Sequence, residues 1–248
     1  MKRSVDLVAS ARQAASVFGV LALLASPALA GDRALIDFIG FSADAKYFAF
    51  EEFGIQDGSG FPYSNIYVVD LTTDTWVEGT PVRYRAEDET RSLLSVRAEA
   101  NNEALRFIGE QEISVPAEVV ALIGDGVPNA DGKTLAFGIP AYAPGEVADE
   151  RLLELSTFPA TSPEDCSLFG DAPLGYELRF SGGTSNVVLH HDNGPLPSSR
   201  GCPLDYRLHA VALPGIGATQ GTGVVIVSVY SGGFEGPDRR FLAVPFAF

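Results

Sequence analysis

Acidic and basic side chains gather at two places where the chain turns. Glu51 and Glu52 stand in an aromatic run, Asp57 follows in a glycine-rich turn, and Asp238, Arg239 and Arg240 occupy a similar turn near the carboxyl terminus. Carboxylates and guanidinium groups brought side by side either pair with one another or hold a polar ligand through charge-assisted hydrogen bonds. Two carboxyls roughly 5–10 Å apart in a cleft would instead provide the acid and base of a hydrolase. Glu51, Glu52 and Asp57 are the residues open to that role. Arg200, in Ser198-Ser199-Arg200-Gly201 just before Cys202, is a further candidate for binding a carboxylate.

Metal and cofactor chemistry has weaker support. Asp57-Gly58-Ser59-Gly60 and Asn129-Ala130-Asp131-Gly132 place oxygen side chains at alternate positions beside glycine, as a Ca²⁺ loop does. Neither completes an EF-hand, because Val127 stands two before Asn129 and Gly138 six after Gly132; turn-forming side-chain bonds explain both equally. His190 and His191 are strand neighbours and point to opposite faces. His209 could approach either one only if strands 186–191 and 204–213 pair, so no metal centre is expected. No Gly-x-Ser-x-Gly, His-Glu-x-x-His or phosphate-loop pattern occurs, and no cofactor is expected. Gly215–Gly223 is glycine-rich but joins two strands instead of opening a helix, unlike a nucleotide loop.

These residues need elements to hold them, and the chain reads as short strands separated by Gly, Pro, Asp and Asn. Residues 34–39, 46–53, 65–71 and 75–77 make one four-stranded antiparallel unit. Candidates in the second half are 133–138, 152–157, 175–180, 186–191, 204–213, 223–230 and 240–246. Val224–Val229 is apolar on both faces apart from Ser228, which predicts a central, buried strand. One helix is expected over 87–108, with Glu87, Asp88 and Glu89 in its first turn, Gly109 at its end, and Leu94, Ala98, Leu105 and Ile108 on its buried face. The fold class is thus mainly β: antiparallel blade-like meanders, as a β-sandwich or partial β-propeller, with one substantial helix.

The amino terminus supplies an address. Lys2, Arg3 and Arg12 precede an apolar stretch from Ala14 to Ala25, and Ala28-Leu29-Ala30 is a small-x-small cleavage site. Residues 1–30 are read as a signal peptide and 31–248 as a single secreted, β-rich domain. The expected location is periplasmic or secreted, and no stretch is long enough to span a membrane. Residues 1–30 hold three basic side chains and one acidic, so the formal charge of −15 becomes −17 in the remainder, with 14 basic against 31 acidic groups. That balance argues against nucleic acid. Export also makes the two cysteines meaningful: Cys166 and Cys202 are expected to form a disulfide.

Gly40-Phe-Ser-Ala-Asp-Ala-Lys-Tyr-Phe-Ala-Phe50 followed by Asn65-Ile-Tyr-Val-Val-Asp70 resembles the repeat of TolB-type β-propellers, with Ala43 and Ala45 in place of the usual Pro and Gly. Gly54–Asn65, Leu196–Pro203 and Gly233–Phe241 resemble a family of secreted bacterial proteins of unknown function, over nearly the whole chain after residue 30. The resemblance implies export and no activity. The expected function is a non-enzymatic binding or protein-interaction module of the cell envelope, its partner an envelope protein or a polar ligand. A hydrolase using loop carboxylates and a calcium-stabilised scaffold are the alternatives.

Overall fold

Three antiparallel sheets account for most of the chain in the computed structural model, which describes residues 31–170, 172–215 and 221–248. The expected leader and residues 216–220 of the glycine-rich connection lie outside the described residues. In the first sheet β1 (Leu35–Ser42), β2 (Tyr47–Ile55), β3 (Pro62–Asp70) and β4 (Thr75–Trp76) pair in order. β5 (Val82–Arg85) takes the other half of β3 and β6 (Ile113–Val115) the end of β1. β7 (Ala117–Leu122) belongs to another sheet, in the order β14-β13-β12-β7, with β12 at Pro203–Pro214, β13 at Thr222–Ser231 and β14 at Asp238–Ala247. The remaining sheet is the meander β8 (Thr134–Pro140), β9 (Val147–Pro159), β10 (Leu174–Gly182) and β11 (Ser185–His191).

β13 sets the layering. Val225, Val227 and Val229 pack into a core shared with Leu153, Tyr176 and Leu178 of the β8–β11 sheet. Val224 and Ile226, on the opposite face, pack into a core shared with Phe41, Phe48 and Phe50 of the first sheet. The β7/β12–β14 sheet is therefore the middle layer, and the unbroken apolar run of β13 is what a strand covered on both faces requires. A bulge between Leu208 and Ala210 lets β12 serve both sides, Tyr206 and Leu208 facing one core and Ala210 and Ala212 the other. The sheets stack as a layered sandwich and close no barrel.

The helix α1 (Leu93–Glu110) covers the outer face of the first sheet, where Ala100, Ala104 and Phe107 meet Ala49, Ile66 and Val68. It begins later than its acids suggest. Ser92 is the N-cap, accepting from the Ser95 N–H, and no acidic residue lies in the first turn; Asp88 instead accepts from Thr90 in the preceding turn. The buried face also differs from expectation: Leu94 is 77% and Leu105 61% exposed, whereas Val96, Ala100, Ala104 and Phe107 are buried. Alanines at i and i+4 let the helix axis approach the sheet, so spacing outweighs side-chain size here.

The TolB-like phrase forms the β1–β2 turn. Ser42 Oγ accepts from the N–H groups of Lys46 and Tyr47 at 3.1 and 3.0 Å, and Ala45 has φ +53°, the left-handed conformation for which glycine is the usual choice. Cys166 and Cys202 are joined, tying the segment after β9 to the start of β12. Cross-linking a loop of this length removes about 4 kcal/mol of unfolded-state entropy on the chain-entropy account.

Ile226→Ala should cost about 2–5 kcal/mol in urea unfolding, because its site is sealed between two sheets. Leu94→Ala, at an exposed helix position, should change stability by roughly 0.5 kcal/mol or less. Equal losses for the two would contradict the layering.

Candidate functional site

Edge strands of all three sheets, β4, β11 and β14, converge on one cleft. Its main chamber holds about 290 Å³ and a second chamber about 180 Å³, the two sharing Trp76, Ser199, Arg200, Phe241 and Leu242 as walls. Trp76 reaches the cleft because β4 is only two residues long and lies at the sheet edge; its indole is 43% exposed. Behind it an aromatic series crosses the first sheet: Tyr67 sits edge-on to Trp76 at 5.6 Å, and Phe50 is stacked on Tyr67 at 4.7 Å. Tyr176 and His190 form the facing wall, stacked at 4.5 Å.

A single carboxylate organises that wall. Asp192, just past the end of β11, accepts from Arg200 Nη1 at 2.7 Å on both oxygens and from the Tyr176 N–H at 2.9 Å, and its Oδ1 lies 3.0 Å from His190 Nε2. Burial pushes the Asp192 carboxyl up, but His190, the Tyr176 N–H and Arg200 outweigh it and hold the group down at about 2. The loop carrying Ser199 and Arg200 is fixed from behind as well. Ser231 Oγ donates to the Arg200 carbonyl at 2.6 Å, Ser162 Oγ donates to the Gly201 carbonyl at 2.7 Å, and the disulfide anchors Cys202.

Two further charges face the cleft with no hydrogen bond or ion pair among the described residues. Arg83 lies 5.7 Å over the Trp76 ring and lines the second chamber. Asp74 stands at the lip of the main chamber, well exposed to solvent, yet the surrounding protein raises its carboxyl above the ordinary value against the pull of His190 and Arg200. The second chamber also contains Glu52, fully buried, which accepts from Asn65 Nδ2 at 3.1 Å and from the Phe241 N–H at 3.0 Å, with Arg240 Nε 3.7 Å away. Burial raises the Glu52 carboxyl, and these three partners oppose the rise without cancelling it.

The other residues singled out in the sequence lie elsewhere. Glu51, next to Glu52 on β2, points to the opposite face and takes a two-pronged bond from Arg97 of α1 at 2.9 and 2.7 Å, so it anchors the helix. Arg239 donates to the Ala34 carbonyl and pairs with Asp125 at 2.9 Å, pinning the amino-terminal segment. Asp238 accepts from the Asp32 N–H at 2.8 Å, and Asp57 lies in the β2–β3 turn with Oδ2 buried and unpartnered. The two hairpins do meet: Glu52 faces Arg240, and the Asp57 and Asp238 carboxylates lie close enough to repel one another. Of the six candidates, the cleft contains Glu52 and Arg200.

The histidines do not converge. β11 and β12 belong to different sheets; His190 faces Tyr176, His191 lies 2.9 Å from Glu177 on the other face, and His209 packs on Phe241 at 5.0 Å. Among the described residues no three His, Cys, Asp or Glu side chains are grouped to hold a metal. Asp131 accepts from the Lys133 N–H at 2.8 Å, closing its own turn.

Family comparison supplies the context for this cleft. A family model described as "Predicted secreted protein (DUF2259)" matches residues 49–246. The chain belongs to this family. It is accordingly a periplasmic or secreted protein, and among the described residues no helix is long and apolar enough to cross a membrane. No curated protein and no solved structure matches the chain. The cleft residues absent from the sequence-based expectations, Asp74, Trp76, Arg83, Tyr176 and Asp192, come from two different sheets, and only the lone tryptophan carried a signal of its own.

A carboxyl held at about 2 when folded and near 3.8 when unfolded contributes stability above pH 3.8 and loses it as the pH falls toward 2. Asp192→Asn should therefore flatten the pH dependence of unfolding in that interval and leave it unchanged at higher pH. An unaltered acid profile would show that Asp192 is not the organising group.

Proposed function

We propose that this chain is a non-enzymatic binding module of the cell envelope and that the three-edge cleft is its ligand site. The observation that carries this reading is the preorganised wall: Asp192 holds Arg200 and His190 in place from behind, leaving Trp76, Arg83 and Asp74 on the opposite side open. A site whose polar groups are already locked avoids much of the ordering cost of association. A concave aromatic surface with a few converging polar groups is also the usual form of a small-ligand pocket.

Hydrolysis is the second reading, and one observation favours it. Asp74 and Glu52 line the joined chambers and the protein raises both carboxyls, as burial does for a general acid. The assignment differs from a Glu51–Glu52 pair, whose members lie on opposite faces of β2.

Immobilised residues 31–248 should retain a component of envelope extract, and Trp76→Ala should release it while circular dichroism stays unchanged. Retention equal in wild type and Trp76→Ala would remove the cleft from the account. Conversion of the retained component on prolonged incubation, abolished by Asp74→Asn, would replace binding with hydrolysis.

A further inference from the structure

Arg200 is the most unusual group in the cleft. Its side chain is only 9% exposed and it lines both chambers, yet all of its hydrogen bonds leave from Nη1, to Asp192 and at 3.5 Å to the Tyr206 hydroxyl. Nε and Nη2 have no hydrogen-bond partner among the described residues and, unlike the rest of the side chain, are not sealed from solvent. The same chamber receives Arg83, which has no ion pair among the described residues, and Arg240, already paired with Asp32 at 2.6 Å. Three guanidinium groups therefore surround one small chamber with Glu52; Arg200 and Arg240 are paired with Asp192 and Asp32, and Arg83 is the cation without an ion pair among the described residues. A planar fork of free N–H donors beside a second free guanidinium is suited to a carboxylate.

The rest of the cleft defines the body of such a ligand. Trp76 forms a wall common to both chambers, so a ring lying on the indole would reach from one to the other. Asp74 lines the main chamber and not the second one, within electrostatic reach of His190 and Arg200, and its oxygens accept no hydrogen bond from the described residues. A carboxylate there would repel an acid but accept from hydroxyl groups. A carboxylate, a ring and several hydroxyl donors are the parts of a sugar acid.

From this we infer that the cleft binds a sugar acid, a pyranose whose carboxylate sits between Arg200 and Arg83, whose ring lies on Trp76 and whose hydroxyls donate to Asp74. This rests on the cleft being a ligand site and adds the class of ligand. Asp192 acts as a positioning residue, because it occupies Nη1 and thereby aims Nε and Nη2 at the chamber.

Trp76 is the chain's one tryptophan, so selectively excited emission reports on the cleft alone. Titration of residues 31–248 with glucuronate should change that emission saturably at millimolar concentration or below. Glucose, lacking the carboxylate, and benzoate, lacking the hydroxyls, should each bind at least about tenfold more weakly. Arg83→Ala, at an exposed position that leaves the Asp192–Arg200 pair intact, should weaken glucuronate by about tenfold with unchanged circular dichroism. Glucose binding as well as glucuronate, or no effect of Arg83→Ala, would overturn the carboxylate assignment, and benzoate matching glucuronate would overturn the sugar. Silence toward all three while Trp76-dependent capture from extract persists would overturn this inference and spare the binding reading; loss of both would end both.

Discussion

Burial of one sheet on both faces is the constraint from which the rest of the molecule follows. Val224 and Ile226 face the first sheet while Val225, Val227 and Val229 face the β8–β11 sheet, all at 3% exposure or less. No polar side chain other than Ser228 interrupts this run. The hydrophobic effect therefore acts in two directions from one strand, at about 25 cal/mol per Å² of apolar surface on each side. The first sheet has a second apolar partner of its own in α1, which buries Ala49, Ile66 and Val68, whereas the outer face of the β8–β11 sheet is largely exposed. Loss of packing along β13 would release both.

That arrangement also decides where function can reside. Stacked sheets bury their faces and leave their edges, and an exposed edge invites unwanted pairing unless it is short, charged or covered. Here β4 is two residues long, β11 ends in the His190–Asp192 network, and Pro197, Ser199 and Arg200 of the 193–202 loop line the cleft together with β14. The protection of three edges and the construction of the cleft are the same set of contacts. The disulfide contributes by holding the end of that loop, so the staple expected from two cysteines in an exported chain stabilises the candidate site as much as the fold.

Local pattern made the strands legible from sequence. Alternation and turn residues mark nearly all the long strands, and the two-sided run at Val224–Val229 marks the middle layer. β5, β6 and β7 were not legible, being short and defined mainly by the strands they pair with. The helix was visible but its buried face was not, because Ala100 and Ala104 are recognised by close approach to Ile66 and Val68, which composition does not encode. For the site, Arg200 stood out by its place beside Cys202 and Glu52 by its aromatic strand. Asp192 and Asp74 looked like ordinary turn acids, since their significance depends on which sheet edges meet, a property of layer stacking. Glu51 shows the converse: the period of a strand sends two adjacent, chemically identical carboxylates to opposite faces, one to anchor a helix and one to the cleft.

Native-state hydrogen exchange tests the two-sided middle sheet most directly. The account predicts that the amides of residues 224–229 exchange last, at the free energy of global unfolding, after those of the edge strands β4 and β11. Exchange of residues 224–229 together with β4 or β11, or stronger protection in β9 and β10 than in β13, would contradict it.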